Sequence, residues 1–251
     1  MGTRSRGKLN FEQELHAFQE GVLEATQYFY SYLTIHRLLA EREDMRELAG
    51  EATLFTRTML GSLRSSTYIA IHKVFEEKSR HNLTTLIESA RANLDMFGRE
   101  GFRDRRIAQE SRLTLDQIDA YASGIHIPTA ADFAELEPAI TKWTDLYKLK
   151  IRDARNLWYG HRVFSTIHEA NDELAETSLD DIEGMLAFLN NLNSELHQLL
   201  QNGKKIDVAL LVDPPREIRP NSVQYRTSLS VERFFAADKP SPSRTKAGGN
   251  P

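Results

Sequence analysis

Apolar residues recur every three or four positions over most of the chain, which is the spacing of one face of an α-helix. The first run begins at Phe11 and continues through "LLAERED". Its apolar positions are spread around almost the whole circumference of a helix. The run therefore predicts a long helix that is buried in its middle. A second run, from about Met45 to Lys78, predicts another long helix with a bend at Gly61. Asn82 then supplies a favourable N-cap for a short third helix.

Two further helices are predicted in the second half of the chain. One extends from Thr129 to about His168. The other begins after Ser178, has acidic residues in its first turn and ends at Gly203. A serine N-cap, early carboxylates and a terminal glycine are strong start and stop signals for a helix.

The segment at about residues 95–130 is less regular, and its glycines and proline predict short helices joined by loops. We interpret it as an insertion between core helices. Its basic residues are Arg99, Arg103, Arg105, Arg106 and Arg112. Two interpretations of this cluster stay open: a local basic patch that contacts RNA, or a solvated helix face balanced by neighbouring acidic residues.

After Gly203 the helical periodicity stops. The stretch "KKIDVALLVDPP" is suited to a short strand, and "ADKPSPSRTKAGGNP" has a composition typical of disorder. The predicted fold is therefore all-α: a helical bundle of four to five main helices with a small helical insertion and an irregular C-terminal extension. The corresponding segments are an N-terminal tail (1–8), the helical domain (9–202) and the extension (203–251).

Composition narrows the function mainly by exclusion. The net charge of -4 disfavours a globally basic nucleic-acid-binding protein. The chain has no cysteine, which excludes disulfides, thiol catalysis and thiolate zinc sites. No apolar stretch is long enough to span a membrane, and the first residues do not form a secretory signal. We therefore expect a cytoplasmic protein that makes no membrane contact.

Known cofactor motifs are missing from the sequence. It contains no GxxxxGK[ST], no GxGxxG after a strand and no HExxH. Glu12 and Glu14 near His16, or Glu169 near His168, are the candidates for a helical-bundle metal site. The ExxH ligand pairing of such sites is not repeated on two helices, so neither a metal nor another cofactor is expected.

The stretch "RNLWYGH" is the strongest candidate for chemistry, with Arg155, Asn156 and His161 as its polar residues. RNA is cut without a metal when a base takes the proton of the ribose 2′-hydroxyl and a cation stabilises the charge on the phosphate. Histidine suits the first role and arginine the second, and Asn156 could orient either by hydrogen bonds. The Arg-to-His spacing alone is unspecific, since Arg162 and His168 repeat it.

The geometry of a straight helix separates the two candidate groups. At about 100° per residue, Arg155 and His161 lie about 120° apart around the helix axis. They meet if Gly160 loosens or ends the helix, or if one site draws residues from two chains. The structural alternative is that Trp158 and its apolar neighbours are core, while the arginine and histidine are surface or hydrogen-bonding residues.

Three stretches resemble the HEPN superfamily, and in particular its abortive-infection branch, the AbiU-like proteins. They are "RNLWYGH", the longer "LKIRDARNLWYGHR" around it, and "SSTYIAIHKVFEEKSRHNLTTLIESAR", in which a helix with a charged end is followed by a short helix. The resemblance extends from Phe11 to Asn202 but leaves out the basic insertion. It implies an α-helical bundle, as the periodicity does independently.

The resemblance also implies a function. Many members of this superfamily are metal-independent ribonucleases that act as toxins or in phage defence, and they dimerise so that both motifs line one cleft. Carried over to this chain, Arg155 and His161 become the catalytic pair and Asn156 the polar residue of the motif. The expected partners are an RNA substrate, a second copy bound through the motif helix and, as a candidate, an antitoxin protein.

The spacer "NLWYG" is bulkier than the family pattern requires. Trp158 and Tyr159 could stack on bases, as aromatic residues do in single-strand binders, or pack in the core. Some family members have lost activity and only bind or dimerise, so the fold does not fix the function. A non-catalytic HEPN-like helical binding or dimerisation protein is therefore the alternative to the endoribonuclease.

Overall fold

The computed structural model describes residues 10–109, 112–152, 178–216 and 222–237. Within these ranges the regular structure is helical and there is no strand, which confirms the all-α prediction. The longer helices of the first half are α1 (Phe11–Glu41), α2 (Glu43–Glu51), α3 (Thr53–Phe75), α4 (Leu83–Ala92) and α5 (Arg99–Ala108). The remaining ones are α6 (Leu115–Ser123), α7 (Ala130–Ala134), α8 (Glu137–Tyr147), α9 (Leu179–Asn202), α10 (Ala209–Val212) and α11 (Val223–Ala237).

The predicted number of four to five main helices is too low, in part because the second long helix is divided. The predicted helix from about Met45 to Lys78 is interrupted at Ala52, and Gly61 lies inside α3. At the interruption the hydroxyl of Thr53 donates to the carbonyl of Gly50 at 2.6 Å. Such a local side-chain bond competes with the helical hydrogen-bond ladder, and the hydrophobic pattern does not reveal it.

The helix predicted from Thr129 to about His168 is also divided. Pro138 lies in the first turn of α8, where its missing N–H costs nothing, and α7 ends before it. After Tyr147 the chain forms a π-helical turn, Lys148–Arg152. The rest of this prediction falls on residues 153–177, which lie outside the described ranges.

The irregular extension predicted after Gly203 contains two helices, α10 and α11. The strand expected in "KKIDVALLVDPP" is wrong, because Leu211 is fully buried in the helical turn α10. That turn is held by α8: the indole Nε1 of Trp143 donates to the Leu211 carbonyl at 3.0 Å, and Nζ of Lys142 donates to the Val212 carbonyl at 2.7 Å. Tertiary contacts therefore decide its conformation.

The predicted helix ends that rest on capping residues are confirmed. Ser178 Oγ accepts the backbone N–H of Asp181 at 3.0 Å, and the Asp181 carboxylate accepts the Ser178 N–H at 3.3 Å. Gly203 ends α9 in the left-handed region, at φ 57°. Asn82 Oδ1 accepts the N–H of Thr85 at 2.9 Å and begins α4.

The chain divides into two compact units, and the division falls within α1 and α3. The first unit comprises Met1–Ala25 and Ser65–Glu217. Its core contains a series of ring contacts, with centroid distances of 5.1 Å for Phe11–Phe97 and 5.8 Å for Phe97–Phe133. Offset and tilted ring pairs of this kind add to the free energy gained by burying the rings.

The second unit comprises Thr26–Arg64 and Ile218–Pro251. Within it α11 is joined to α1 by polar contacts. The hydroxyl of Thr34 donates to that of Ser228 at 3.1 Å, and Arg37 forms an ion pair with Glu232. In neither unit does a described helix have the length and apolar character that crossing a bilayer requires.

Candidate functional site

The predicted catalytic residues Arg155, Asn156 and His161 lie outside the described residues. The same holds for Trp158 and Tyr159, so their predicted roles stay predictions. The structure does describe the chain on both sides of this segment: α8 and the π-helical turn before it, and α9 after it. These flanks belong to the first unit.

Tyr147 anchors the helix that leads into the motif. It is the last residue of α8, and only 1% of its surface is exposed. Its hydroxyl lies 2.6 Å from Nδ1 of His72 on α3, and its ring stacks on Phe75 at a centroid distance of 5.2 Å. A buried hydroxyl needs such a partner, since leaving it without one costs free energy. The end of α8 is therefore fixed by both packing and hydrogen bonding.

The π-helical turn Lys148–Arg152 follows directly. Ile151 is fully buried, whereas Leu149 is 75% exposed. A π-helical turn has wider i→i+5 bonding than an α-helix, and such turns occur frequently at functional sites. This turn ends three residues before Arg155, which itself lies outside the described residues.

The beginning of α9 packs closely on α8. Trp143 stacks on Phe188 at a centroid distance of 5.8 Å. Gly184 permits this approach, because a Cβ there would lie 2.9 Å from Cη2 of the Trp143 ring. The two helices that bound the motif segment are therefore held against each other, with Trp143 between them.

Two arginines of the basic insertion hold the end of α9. Arg105 donates from Nη1 to the Met96 carbonyl at 2.5 Å and from Nη2 to the Leu200 carbonyl at 2.7 Å. Arg106 donates to the Gln201 carbonyl at 2.8 Å and to Oδ1 of Asn202 at 2.7 Å. The last carbonyls of a helix have no partner within it, and cations there also interact favourably with the helix dipole. Arg105 and Arg106 thus cap α9.

Arg99 also donates to a helix-end carbonyl, that of Ser123 in α6 at 3.4 Å, whereas Arg103 differs from this pair. Arg103 forms an exposed ion pair with Asp119 at 2.9 Å, as the solvated-face interpretation predicts.

Burial lowers the pKa of Arg105, with the neighbouring charges of Glu12 and Arg106 acting in opposite directions. An arginine remains charged nevertheless, so its buried guanidinium needs these carbonyl partners. For Arg105 and Arg106, neither sequence interpretation describes the observed role.

One carboxylate of the candidate metal sites, that of Glu14, contacts a histidine outside those candidates. Glu14 is buried and lies 2.9 Å from Nδ1 of His81. Across the described ranges there is no group of three or more His, Asp or Glu side chains that could hold a metal ion. Glu169 and His168 lie outside those ranges. The expectation that no cofactor is needed stays a prediction.

His72 and Tyr147 were not singled out by the sequence. Both lie among helically spaced apolar residues, in "YIAIHKVF" and "KWTDLYKL", and this spacing assigns them to the core. The one available signal was a histidine within an otherwise apolar helix face. Its partner lies 75 residues away, so only the tertiary structure brings the two together.

One of the three comparisons with known proteins agrees with the family resemblance found in the sequence. No curated protein and no solved structure is similar enough to the chain to count as a match. The model of the HEPN AbiU2 family matches residues 8–225, which includes the insertion, the "RNLWYGH" stretch and part of the chain beyond Gly203. The match therefore extends further than the resemblance seen in the sequence, and the chain belongs to the HEPN AbiU2 family.

Proposed function

We propose that this protein is a metal-independent endoribonuclease of the HEPN type that acts in abortive infection, as a toxin restrained by a partner protein. The family match over residues 8–225, together with the Arg-Asn…His spacing of "RNLWYGH" inside it, carries this proposal. The motif supplies the two chemical groups that RNA cleavage without a metal needs: a titratable base and a fixed cation.

In this mechanism His161 takes the proton from the ribose 2′-hydroxyl, which then attacks the adjacent phosphate. The guanidinium of Arg155 stabilises the charge on the phosphate oxygens, and Asn156 orients the phosphate or the imidazole. As the 2′-oxygen bonds to phosphorus, the bond from phosphorus to the 5′-oxygen breaks, and the leaving 5′-oxygen takes a proton from the protonated imidazole of His161 or from that of the second copy. The products are a 2′,3′-cyclic phosphate and a free 5′-hydroxyl. Two copies associate through the motif helix, so that one cleft contains both pairs.

Three observations on the described flanks support the proposal. The helix before the motif is anchored by the His72–Tyr147 hydrogen bond, and a catalytic group must be held by such a rigid element. The helix after it is packed against α8 at Gly184. The turn before the motif carries the cations Lys148, Lys150 and Arg152 on a chain whose net charge is negative, which gives local attraction for phosphate.

The test is cleavage of mixed RNA by the purified protein in excess EDTA, with analysis of the product ends. We expect 2′,3′-cyclic phosphate ends, and a loss of at least about 100-fold in rate for Arg155→Ala and for His161→Ala. Arg162→Ala and His168→Ala are the matched controls, because they change the same residue types at the same spacing. Both controls should retain activity.

Other outcomes would contradict this proposal in different ways. Cleavage that survives in both motif variants would assign the chemistry to other residues. Cleavage that needs a divalent metal would exclude the mechanism. No cleavage by the wild-type protein, with RNA still bound, would favour the non-catalytic binding module.

A further inference from the structure

Helix α11 of the second unit has two arginines on the side that faces away from α1. Ser228 and Glu232 mark the opposite side, because their side chains contact α1. At about 100° per residue, Arg226 and Arg233 lie about 160° and about 140° from Ser228 around the helix axis. The two arginines are only about 20° apart around that axis, so they share one face. Both are exposed to solvent.

No carboxylate of α11 balances this outer face. Glu232 is the one acidic residue of the helix, and its ion pair with Arg37 holds it on the side of α1. Among the residues that the structure describes, neither Arg226 nor Arg233 forms an ion pair. The planar fork of a guanidinium matches the oxygens of a phosphate. The outer face of α11 is therefore suited to an anionic ligand that carries phosphates.

The acidic residues of the second unit are concentrated on another helix, α2. Its sequence "EDMRELAGE" contains four carboxylates and one arginine, Arg46. After α11, in contrast, the sequence "DKPSPSRTKAGGNP" adds three cations and one acidic residue. A polyanion is attracted by the one cluster and repelled by the other, because both act within a Debye length of the surface. The charge distribution of this unit thus favours α11 as the side that a polyanion contacts.

The exposed apolar surface of α11 favours a nucleic-acid strand over a lipid bilayer as this polyanion. Tyr225 precedes Arg226 and is 36% exposed. Proteins that bind single strands combine cations for the phosphates with aromatic rings on which bases stack. Among the side chains of α11 that the structure describes, no other large apolar one is exposed. A helix that binds a bilayer needs an exposed apolar face to bury in it, and α11 has none in that part.

We propose that Tyr225, Arg226 and Arg233 on the outer face of α11 bind the backbone of single-stranded RNA. This inference rests on the proposed function, in that RNA is taken as the ligand, and it adds a binding surface in the second unit. The family match ends at residue 225, so it assigns no role to the rest of α11. Each phosphate contact on a single strand contributes about 0.7 to the slope of log K against log salt concentration, so the binding should weaken steeply with salt.

Fluorescence anisotropy with a labelled single-stranded RNA tests this surface on the full chain in excess EDTA. The RNA has 2′-O-methyl groups. It therefore lacks the hydroxyl that cleavage without a metal requires, and it stays intact whatever His161 does. Arg226→Gln and Arg233→Gln together should raise the Kd at least about 10-fold at low salt and reduce the salt slope by about 1.4. Because both arginines are exposed, the changes leave the core intact.

The matched control combines Arg42→Gln with Arg46→Gln. It removes the same charge from the same unit, at the beginning of α2 and within it. The Kd of this control should stay within about 2-fold of the wild-type, because a polyanion does not contact the acidic helix.

Tyr225 provides an independent measurement. Tyr225→Ala should raise the Kd about 5-fold or more without changing the salt slope, because it removes a stacking ring and no charge. Tyr225→Phe should retain the wild-type Kd, since its ring still stacks.

Three results would overturn the proposal. They are equal weakening by the α11 and α2 variants, no RNA binding by the wild-type, and vesicles of phosphatidylglycerol that need the two α11 arginines when RNA does not. The outcome is separate from that of the proposed function. Loss of RNA binding in the α11 variant supports this surface even if the wild-type cleaves no RNA. Unchanged binding overturns it even if cleavage depends on His161.

Discussion

Nδ1 of His72 and the hydroxyl oxygen of Tyr147 lie 2.6 Å apart in the core of the first unit. The bond joins α3 to the last residue of α8, at the position where the α-helix gives way to the π-helical turn. Arg155 follows eight residues after Tyr147. The buried pair therefore holds the end of the helix from which the motif segment continues.

Tyr147→Phe should lower the free energy of unfolding by about 1–2 kcal/mol, because it removes a buried hydrogen bond while the ring can still stack on Phe75. The measurement is urea unfolding followed by circular dichroism. Tyr225→Phe is the control, since Tyr225 is 36% exposed, and it should stay within about 0.5 kcal/mol of the wild-type. Equal effects in the two variants would show that the His72 bond contributes nothing.

Gly184→Ala should destabilise the protein by about 1–3 kcal/mol, since the new Cβ would lie 2.9 Å from the ring of Trp143. Gly61→Ala is the matched control. Gly61 also lies inside a helix, but apart from the backbone of that helix and its chain neighbours no atom is within 4 Å of the Cβ position there. That change should stabilise by up to about 1 kcal/mol. The midpoint temperature of thermal unfolding should therefore fall for Gly184→Ala and rise for Gly61→Ala. A shift of both midpoints in the same direction would contradict the close packing of α8 on α9.

Arg106→Met should lower the free energy of unfolding by about 1–3 kcal/mol, because the Gln201 carbonyl and the Asn202 side chain lose their donor at the end of α9. Arg103→Met removes the same charge from the same helix but only breaks an exposed ion pair, which is worth less than about 1 kcal/mol. Chemical unfolding of the two variants checks the difference. If the two variants lost the same free energy of unfolding, the arginines of α5 would act through their charge alone and the cap would be contradicted.

The helix ends that were predicted correctly depend on local chemistry. Ser178, Asp181 and Gly203 act on backbone groups within a few residues, so the sequence contains the whole signal for α9. The break at Ala52 and the helical turn at Leu211 could not be predicted in this way. The first depends on a competing side-chain bond, and the second on contacts with α8 about 70 residues away.

The candidate site was predictable only as a motif. Arg155, Asn156 and His161 follow from residue type, spacing and family resemblance, and their roles stay predictions. The groups that hold its flanks are hard to identify in the sequence, because hydrophobic spacing cannot distinguish a residue that positions a helix from one that fills the core. Gly184 has no signature, and the signal at His72, a histidine within an apolar helix face, does not reveal its partner. The role of Arg105 was missed for a similar reason: a basic residue in an irregular segment gives no sign of which carbonyl it binds.

The arginine cap of α9 affects when the first unit can fold during synthesis. Arg105 and the Leu200 carbonyl are 95 residues apart in the chain, so a ribosome synthesises the donor long before its acceptor. Until α9 has emerged, both guanidinium groups of the cap remain hydrated on an unfinished nascent chain. The first unit therefore closes late in translation, once residues beyond Asn202 have left the exit tunnel.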